Sequence, residues 1–238
     1  MTNLLLASQS PRRRELLALL GIPFEVAVPN VAEVPQVDEP PAALIVRLSQ
    51  VKAHAGGRNQ VLRKKPGFKQ AIIIACDTVV ALDGEVLGKP HDVAEANTML
   101  HRLRGRSHTV YSAVTLLETT TGHTLTDVAE TQVTIRAYTD PEISAYVASG
   151  DPLDKAGAYA IQHSRFHPVA GLQGCYANVV GLPLCHLTRC LRAWGIEPRQ
   201  DVPAVCQGHT GHDCAVYATI LAGQPNWQMT NNQRPDDK

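Results

Sequence analysis

The chain has 238 residues, room for one large domain or for one domain with an appendage. Hydrophobic residues make up 44% and charged residues 18%, ordinary globular usage that excludes a disordered, collagenous or coiled-coil chain. Lys+Arg and Asp+Glu number 22 each, so no global field draws the protein to nucleic acid or to a membrane surface, and any anion it handles must be met by a local cluster. The run Leu4 to Ser8 is short and apolar, and Ser10-Pro11 then supplies an N-cap residue and a proline at the first helical position. This reads as strand, tight loop and helix, with Leu16, Leu17 and Leu20 turned to a core and Gly21 as the stop. Pro40 to Ala55 sets Leu44, Leu48 and Val51 at helical spacing, with Lys52 one position off that stripe and Gly56-Gly57 as the end.

Residues 58–69 read as a polar, basic connecting loop. AIIIACDTVVAL is a β-branched run, and Asp83-Gly84 links it to GEVLGKP as a hairpin. Asp92 with Glu95 starts a helix through Leu103, and His108–Glu118 and Leu125–Ala137 alternate as an antiparallel pair. Thr139 and Glu142 cap a helix over Pro141–Ser149. The glycine-punctuated DPLDKAGAYAIQ and QGCYANVVGLP follow, then a helix over Pro183–Trp194 with Leu184, Leu187 and Leu191 on one face. From Pro198 onward Pro, Gln, Asn, Asp and Gly dominate, apart from AVYATILAG. The reading is therefore a domain over 1–197 and a partly disordered extension over 198–238, whose last dozen residues have a disorder-like composition.

No apolar stretch approaches the roughly 18 residues a membrane helix needs. The first arginines follow a short apolar run, the reverse of a secretory signal, and six cysteines form no regular disulfide ladder. The expectation is a soluble, cytoplasmic protein with reduced thiols.

Two features break local rules. Arg12, Arg13 and Arg14 occupy the first helical turn, where the macrodipole disfavours each cation by about 0.3–1 kcal/mol. With Ser8, Ser10 and free backbone N–H groups nearby, a polyphosphate would reverse that penalty; the alternative is arginines in solvent or paired with Glu15. Asp77 interrupts an apolar strand, where a carboxylate must be paired, metal-bound or protonated, which makes it a general-base or metal-ligand candidate or else a structural aspartate bonded to Thr78. Lys52, Lys89 and Lys155 come from separate segments and singly read as surface lysines. The histidines from His54 to His186 show no ligand spacing, and the glycines form neither a dinucleotide fingerprint nor a P-loop.

LASQSPRRRELLALLGIPFEV, CDTVVALDGEVLGKP, YVASGDPLDKAGAYAIQ and YANVVGLPL together resemble the Maf family of nucleoside triphosphate pyrophosphatases over residues 3 to about 196. The resemblance implies an α/β fold related to inosine triphosphate pyrophosphatases, with an elongated mixed sheet and two lobes around a deep cleft. It implies hydrolysis of a nucleoside triphosphate to the monophosphate and pyrophosphate with a divalent cation, Mg²⁺ or Mn²⁺; the sequence leaves the oligomeric state open, with a homodimer as one option. Carried over, it puts Ser8, Arg12 and Arg13 on the phosphates, Asp77 as the catalytic carboxylate and Glu33 beside Asp77 on the metal, with Lys52, Lys89 and Lys155 matching the motif lysines. The branch acting on dTTP and UTP is similar in having Arg12, Thr78 and Gln162, and the Gln162 amide offers the donor and acceptor needed to read O4 and N3–H of thymine or uracil. Departures are His163-Ser164-Arg165-Phe166, in place of a glycine-rich continuation, and the stretch FHPVAGLQGCY. Alternative readings are a 7-methyl-GTP pyrophosphatase and a non-catalytic nucleotide-binding regulator of cell division.

In the extension, Cys206, His209, His212 and Cys214 offer two sulfur and two nitrogen ligands to Zn²⁺. Their spacing is cramped for a structural site, and the alternative is a loop with adventitious thiols and imidazoles.

Overall fold

The computed structural model describes residues 3–59 and 70–223. Most of the basic loop and the last dozen residues, read above as disorder-like, lie outside the described residues. The strands are β1 (Asn3–Ala7), β2 (Phe24–Val26), β3 (Ala71–Leu82), β4 (Glu85–Leu87), β5 (Ser107–Glu118), β6 (Thr124–Ile135) and β7 (Val169–Gln173). The helices are α1 (Pro11–Ala18), α2 (Pro41–Gly57), α3 (Val93–Leu103), α4 (Asp140–Ala148), α5 (Tyr176–Val180), α6 (Leu184–Ala193), α7 (Val202–Thr210) and α8 (Tyr217–Ala222). Two 3₁₀ turns, Asp151–Asp154 and Ala156–Ala158, fall between α4 and β7.

The seven strands form one open mixed sheet in the order β2-β1-β3-β5-β6-β7, with β4 also on β3. β1 runs parallel to both β2 and β3, and the other pairings are antiparallel. On one edge β3 pairs with β5 from Ile72 to Ala81 without interruption. On the other, β1 covers Ala71–Ala75 and β4 covers Val80–Leu82. Among the described residues no strand pairs with Cys76–Val79 on that edge, so a window opens at the middle of the twelve-residue strand.

The pleat sorts the core, because successive side chains of β3 point to opposite faces. Ile72, Ile74 and Cys76 join leucines of α1 and α6 in one apolar cluster, while Val80 and Leu82 join α3 and α4 in a second. These clusters are the cores of two lobes. The other face is covered by α2, whose Ala53 packs with Ile73 and Ala75 and whose Leu44, Ile45 and Leu48 pack with Val79. The helix ends at Gly57 with Arg58 as its cap, two residues beyond Ala55. Gly56 has a second role: a Cβ there would lie 3.0 Å from the Ala7 Cβ and 3.1 Å from Ile73 Cγ2, so the glycine permits close approach of helix to sheet.

Most expected caps are present: Ser10, Asp92 and Thr139 each accept from a backbone N–H three residues on, and Thr139 with Glu142 closes a full capping box. Asp83 (φ 53°) and Gly84 (φ 83°) make the hairpin turn between β3 and β4. Strands β2 and β7 and helices α5, α7 and α8 are additions to the sequence reading. Asp201 caps α7, whose Val202 and Cys206, four apart, pack on the α1–α6 cluster together with Ile220 of α8. Arg189 of α6 is buried in a two-pronged ion pair with Asp127 of β6, at 2.5 and 2.7 Å, and donates from Nη1 to the Ile220 carbonyl at 3.1 Å. Residues up to 222 are thereby tied to the sheet. His163 also has a role in the stretch that departs from the family pattern: its Nδ1 accepts from the Phe166 N–H at 2.9 Å, and Phe166 stacks on Tyr146 with centroids 4.2 Å apart.

Two histidines are buried with one ring nitrogen unpartnered, His108 against the Tyr159 hydroxyl (2.8 Å) and His186 on α6. Burial lowers each from the usual value near 6.5 to about 4, since charging the ring would add an N–H with nothing to bond. Between those values the unfolded chain binds protons that the native chain does not. Their neutral-state contribution is therefore complete above pH 6.5 and is lost as pH falls toward 4, at up to about 1.4 kcal/mol per pH unit for each ring. Urea midpoints should decline between pH 7 and pH 5, and a His108→Gln/His186→Gln double variant should flatten that slope.

Candidate active site

The window in β3 presents Asp77 and Thr78, adjacent residues on opposite faces of the pleat. Asp77, 5% exposed, faces α2, where Lys52, one position off the helix's apolar stripe, comes to meet it. Lys52 Nζ lies 2.5 Å from Asp77 Oδ1 and 2.7 Å from Glu33 Oε1, so one buried ammonium is shared by two carboxylates. Lys52 and Asp77 are both desolvated, while Glu33 comes from the loop before α2 and is half open to solvent. Partial burial pushes the Glu33 carboxyl up, but the hydrogen bond and charge of Lys52, helped by Lys89 and Arg13, outweigh it and hold the carboxyl below the usual range. Among the described residues no hydrogen bond engages Asp77 Oδ2.

On the other face the α1 loop delivers the arginine. Ser8 is buried, and its Oγ accepts from the Ser10 N–H at 3.2 Å, which fixes the bend between β1 and α1. Ser10 Oγ then receives the Arg13 N–H at 3.4 Å as the N-cap. The Arg13 side chain crosses the window, donating from Nε to the Gly181 carbonyl at 2.8 Å and from Nη2 to Thr78 Oγ1 at 3.1 Å. Thr78 Oγ1 in turn meets Ser112 Oγ at 2.8 Å. Gly181, with φ 124° at the end of α5, gives this guanidinium its anchoring carbonyl.

The second lobe supplies the remaining cations from two loops joined back to back. The Gly157 N–H donates to the Gly88 carbonyl at 3.0 Å, which joins the turns bearing Lys89 and Lys155. Lys155 is 8% exposed and points all three ammonium protons at acceptors: the Asp151 carbonyl (2.6 Å), Asp151 Oδ1 (3.0 Å) and Asp154 Oδ1 (2.5 Å). Across the cleft mouth Arg12 Nη1 stands 3.8 Å from Asp154 Oδ2. Gln162 sits exposed at the rim, its amide without a hydrogen bond among the described residues.

Between the lobes is a cleft of about 860 Å³, within the range that holds a nucleotide-sized ligand. Ser8, Arg12, Arg13, Glu33, Lys52, Asp77, Thr78, Lys89, Lys155 and Gln162 all line it, so these residues meet in one place, while Arg14, the third arginine of the first helical turn, is exposed and outside the lining. The sequence reading missed Gly181, Asp151 and Asp154. The acidic pair was visible four and one residues before Lys155 in DPLDK, but nothing local says that both turn back onto the lysine. The zinc reading of the tail is corrected: among the described residues no three His, Cys, Asp or Glu side chains are placed to hold a metal. Cys206 lies inside α7 and packs on the core, and His212 stacks on Tyr176 with centroids 5.1 Å apart. Among the described residues no helix is long and apolar enough to cross a membrane.

An open mixed sheet interrupted along one edge of its twelve-residue strand β3, with guanidinium and ammonium groups from both lobes around a carboxylate, defines an α/β protein built to handle a polyphosphate. Comparison with known proteins narrows this class. The family model for Maf-like proteins matches residues 3–194, and the chain belongs to the Maf family. It is 44% identical over 197 residues to a protein of Moorella thermoacetica named dTTP/UTP pyrophosphatase, a match covering 83% of this chain and 97% of the relative. Proteins of the same name from Myxococcus xanthus and Salinibacter ruber are 48% and 47% identical, over 82% and 80% of this chain and 94% and 90% of theirs.

Gly157 joins the second-lobe loops. It has φ 67°, and a Cβ there would stand 3.0 Å from Val80 Cγ2. Gly157→Ala should cost about 1–3 kcal/mol from the backbone conformation alone, read as a lower thermal midpoint, and should weaken polyphosphate binding by displacing Lys89 and Lys155.

Proposed function

We propose that this protein is a cytoplasmic nucleoside triphosphate pyrophosphatase that hydrolyses dTTP and UTP to the monophosphate and pyrophosphate. The observation that carries this reading is the identity of 44–48% to proteins named dTTP/UTP pyrophosphatase, spanning nearly their whole length. The geometry of the cleft supports it independently. Six unbridged cysteines support a reducing compartment.

In this reading Lys52 fixes one oxygen of Asp77, and Asp77 Oδ2 orients and deprotonates the attacking water. Arg12, Arg13, Lys89 and Lys155, with the Ser8 hydroxyl, bind the phosphate chain and neutralise the charge that grows on pyrophosphate as the α–β anhydride bond breaks. Glu33 and Asp77 already direct oxygens at one cation, the Lys52 ammonium, and a pair of hard carboxylate donors fits Mg²⁺ or Mn²⁺, which such sites bind together with substrate phosphates. When bound, that ion would supply Lewis-acid polarisation of a phosphoryl oxygen. Gln162 at the rim pairs with O4 and N3–H of the pyrimidine, while Thr78 acts through Arg13 by holding its guanidinium across the window.

A panel of triphosphates scored for pyrophosphate release is the direct test. The expected outcome is higher kcat/KM for dTTP and UTP than for purine triphosphates, with Gln162→Ala eroding the preference more than the overall rate. A wild-type preference for a purine would overturn the assignment. Asp77→Asn should lower kcat by about 10²–10⁴ while still binding nucleotide. Arg13→Ala should weaken triphosphate binding by roughly 10- to 100-fold and nucleoside binding far less, as expected for loss of a charge-assisted contact.

A further inference from the structure

The ammonium of Lys155 has three protons, and Asp151 and Asp154 occupy all of them. A phosphate can reach Lys155 only by displacing an acceptor. The acceptors differ in how firmly they are held. Asp151 is tied down twice more, by its carbonyl contact and by the Tyr146 hydroxyl at 2.7 Å on Oδ2. Asp154 has a side chain 68% exposed and places its two oxygens on two different cations, Oδ1 on Lys155 and Oδ2 toward Arg12. Arg12 belongs to the α1 lobe and Lys155 to the other, so this carboxylate spans the mouth of the cleft. It sits where an anion bound by both residues would sit.

From this we infer that Asp154 is a displaceable stand-in for a substrate phosphate: it keeps Arg12 and Lys155 in register in the empty site and must swing out when a polyphosphate enters. The inference rests on the proposed phosphate-binding role of the two cations. It gives Asp154 a positioning and affinity-setting role, without contact to the reacting atoms. Two consequences separate it from a merely structural aspartate. An aspartate that only braces Lys155 would, when removed, loosen the lysine and weaken binding. A competing carboxylate, when removed, leaves both cations free and strengthens binding.

The test is Asp154→Asn beside wild type, with Asp154→Glu as the variant that restores the charge. Exposed ion pairs are weak, so the expected gain is modest: a KM for dTTP and an inhibition constant for pyrophosphate each lowered about three- to tenfold. The gain should shrink as ionic strength rises, and Asp154→Glu should return both constants toward wild type. Titration of inorganic tripolyphosphate into the same three proteins by calorimetry reads the competition without any turnover. That measurement keeps the inference apart from the proposed activity: a wild type inert toward dTTP would sink the activity alone. Unchanged or weaker tripolyphosphate binding by Asp154→Asn would overturn the role of Asp154.

Discussion

An ammonium ion buried beside the central strand organises this protein. Removing Lys52 from water is costly, and the cost is offset only because Asp77 and Glu33 both reach it. Each partner comes from a different part of the chain, so the contact pins α2 to β3 and draws the loop before α2 over the cleft. It also explains a carboxylate in a strand of isoleucines, valines and alanines. Asp77 would be an expensive residue in that strand without the cation, and with it one carboxylate oxygen is held in a fixed direction while the other faces the opening.

The window in β3 is the second constraint, and it follows from strand lengths. β1 ends at Ala7 because Ser8 turns the chain into α1, and β4 is only three residues long, so neither neighbour spans the middle of β3. The α1 lobe and the α3–α4 lobe are thus joined by a continuous strand yet separated on one edge. That arrangement lets Arg13 from one lobe and the lysine turns from the other approach the same few residues.

Much of this was legible in the sequence where one short segment holds the whole cause. Ser10-Pro11, Asp92 with Glu95, Thr139 with Glu142 and Asp83-Gly84 act through hydrogen bonds and backbone angles within four residues, and each is found where expected. Three arginines against the macrodipole and an aspartate in an apolar strand flagged the cleft for the same reason: each violates a local rule. What was not legible depends on distant partners. Gly56-Gly57 closes α2 as its composition suggests, but the part Gly56 plays in seating the helix shows only once Ala7 and Ile73 are known to lie against it. β2 has three residues and no alternation to detect, and β7 is a partly exposed strand defined by its pairing with β6. α7 and α8 sit in a stretch rich in polar residues and are held by Val202, Ile220 and the third N–H direction of Arg189. A metal site in the tail needs a fold that brings three or four ligand tips to one point, and among the described residues no three His, Cys, Asp or Glu side chains are grouped in that way.

A sheet edge with free backbone groups ordinarily invites another strand, and proteins guard such edges against self-association. Here the segment left unpaired among the described residues, Cys76–Val79, is four residues long and closed at both ends by β1 and β4. At about 3.3 Å per residue it offers roughly 13 Å of ladder, too short to template a foreign strand. Arg13 also lies across it, bonded to Gly181 and Thr78. The protein can therefore leave the polar edge of β3 open to a small ligand without becoming a seed for aggregation.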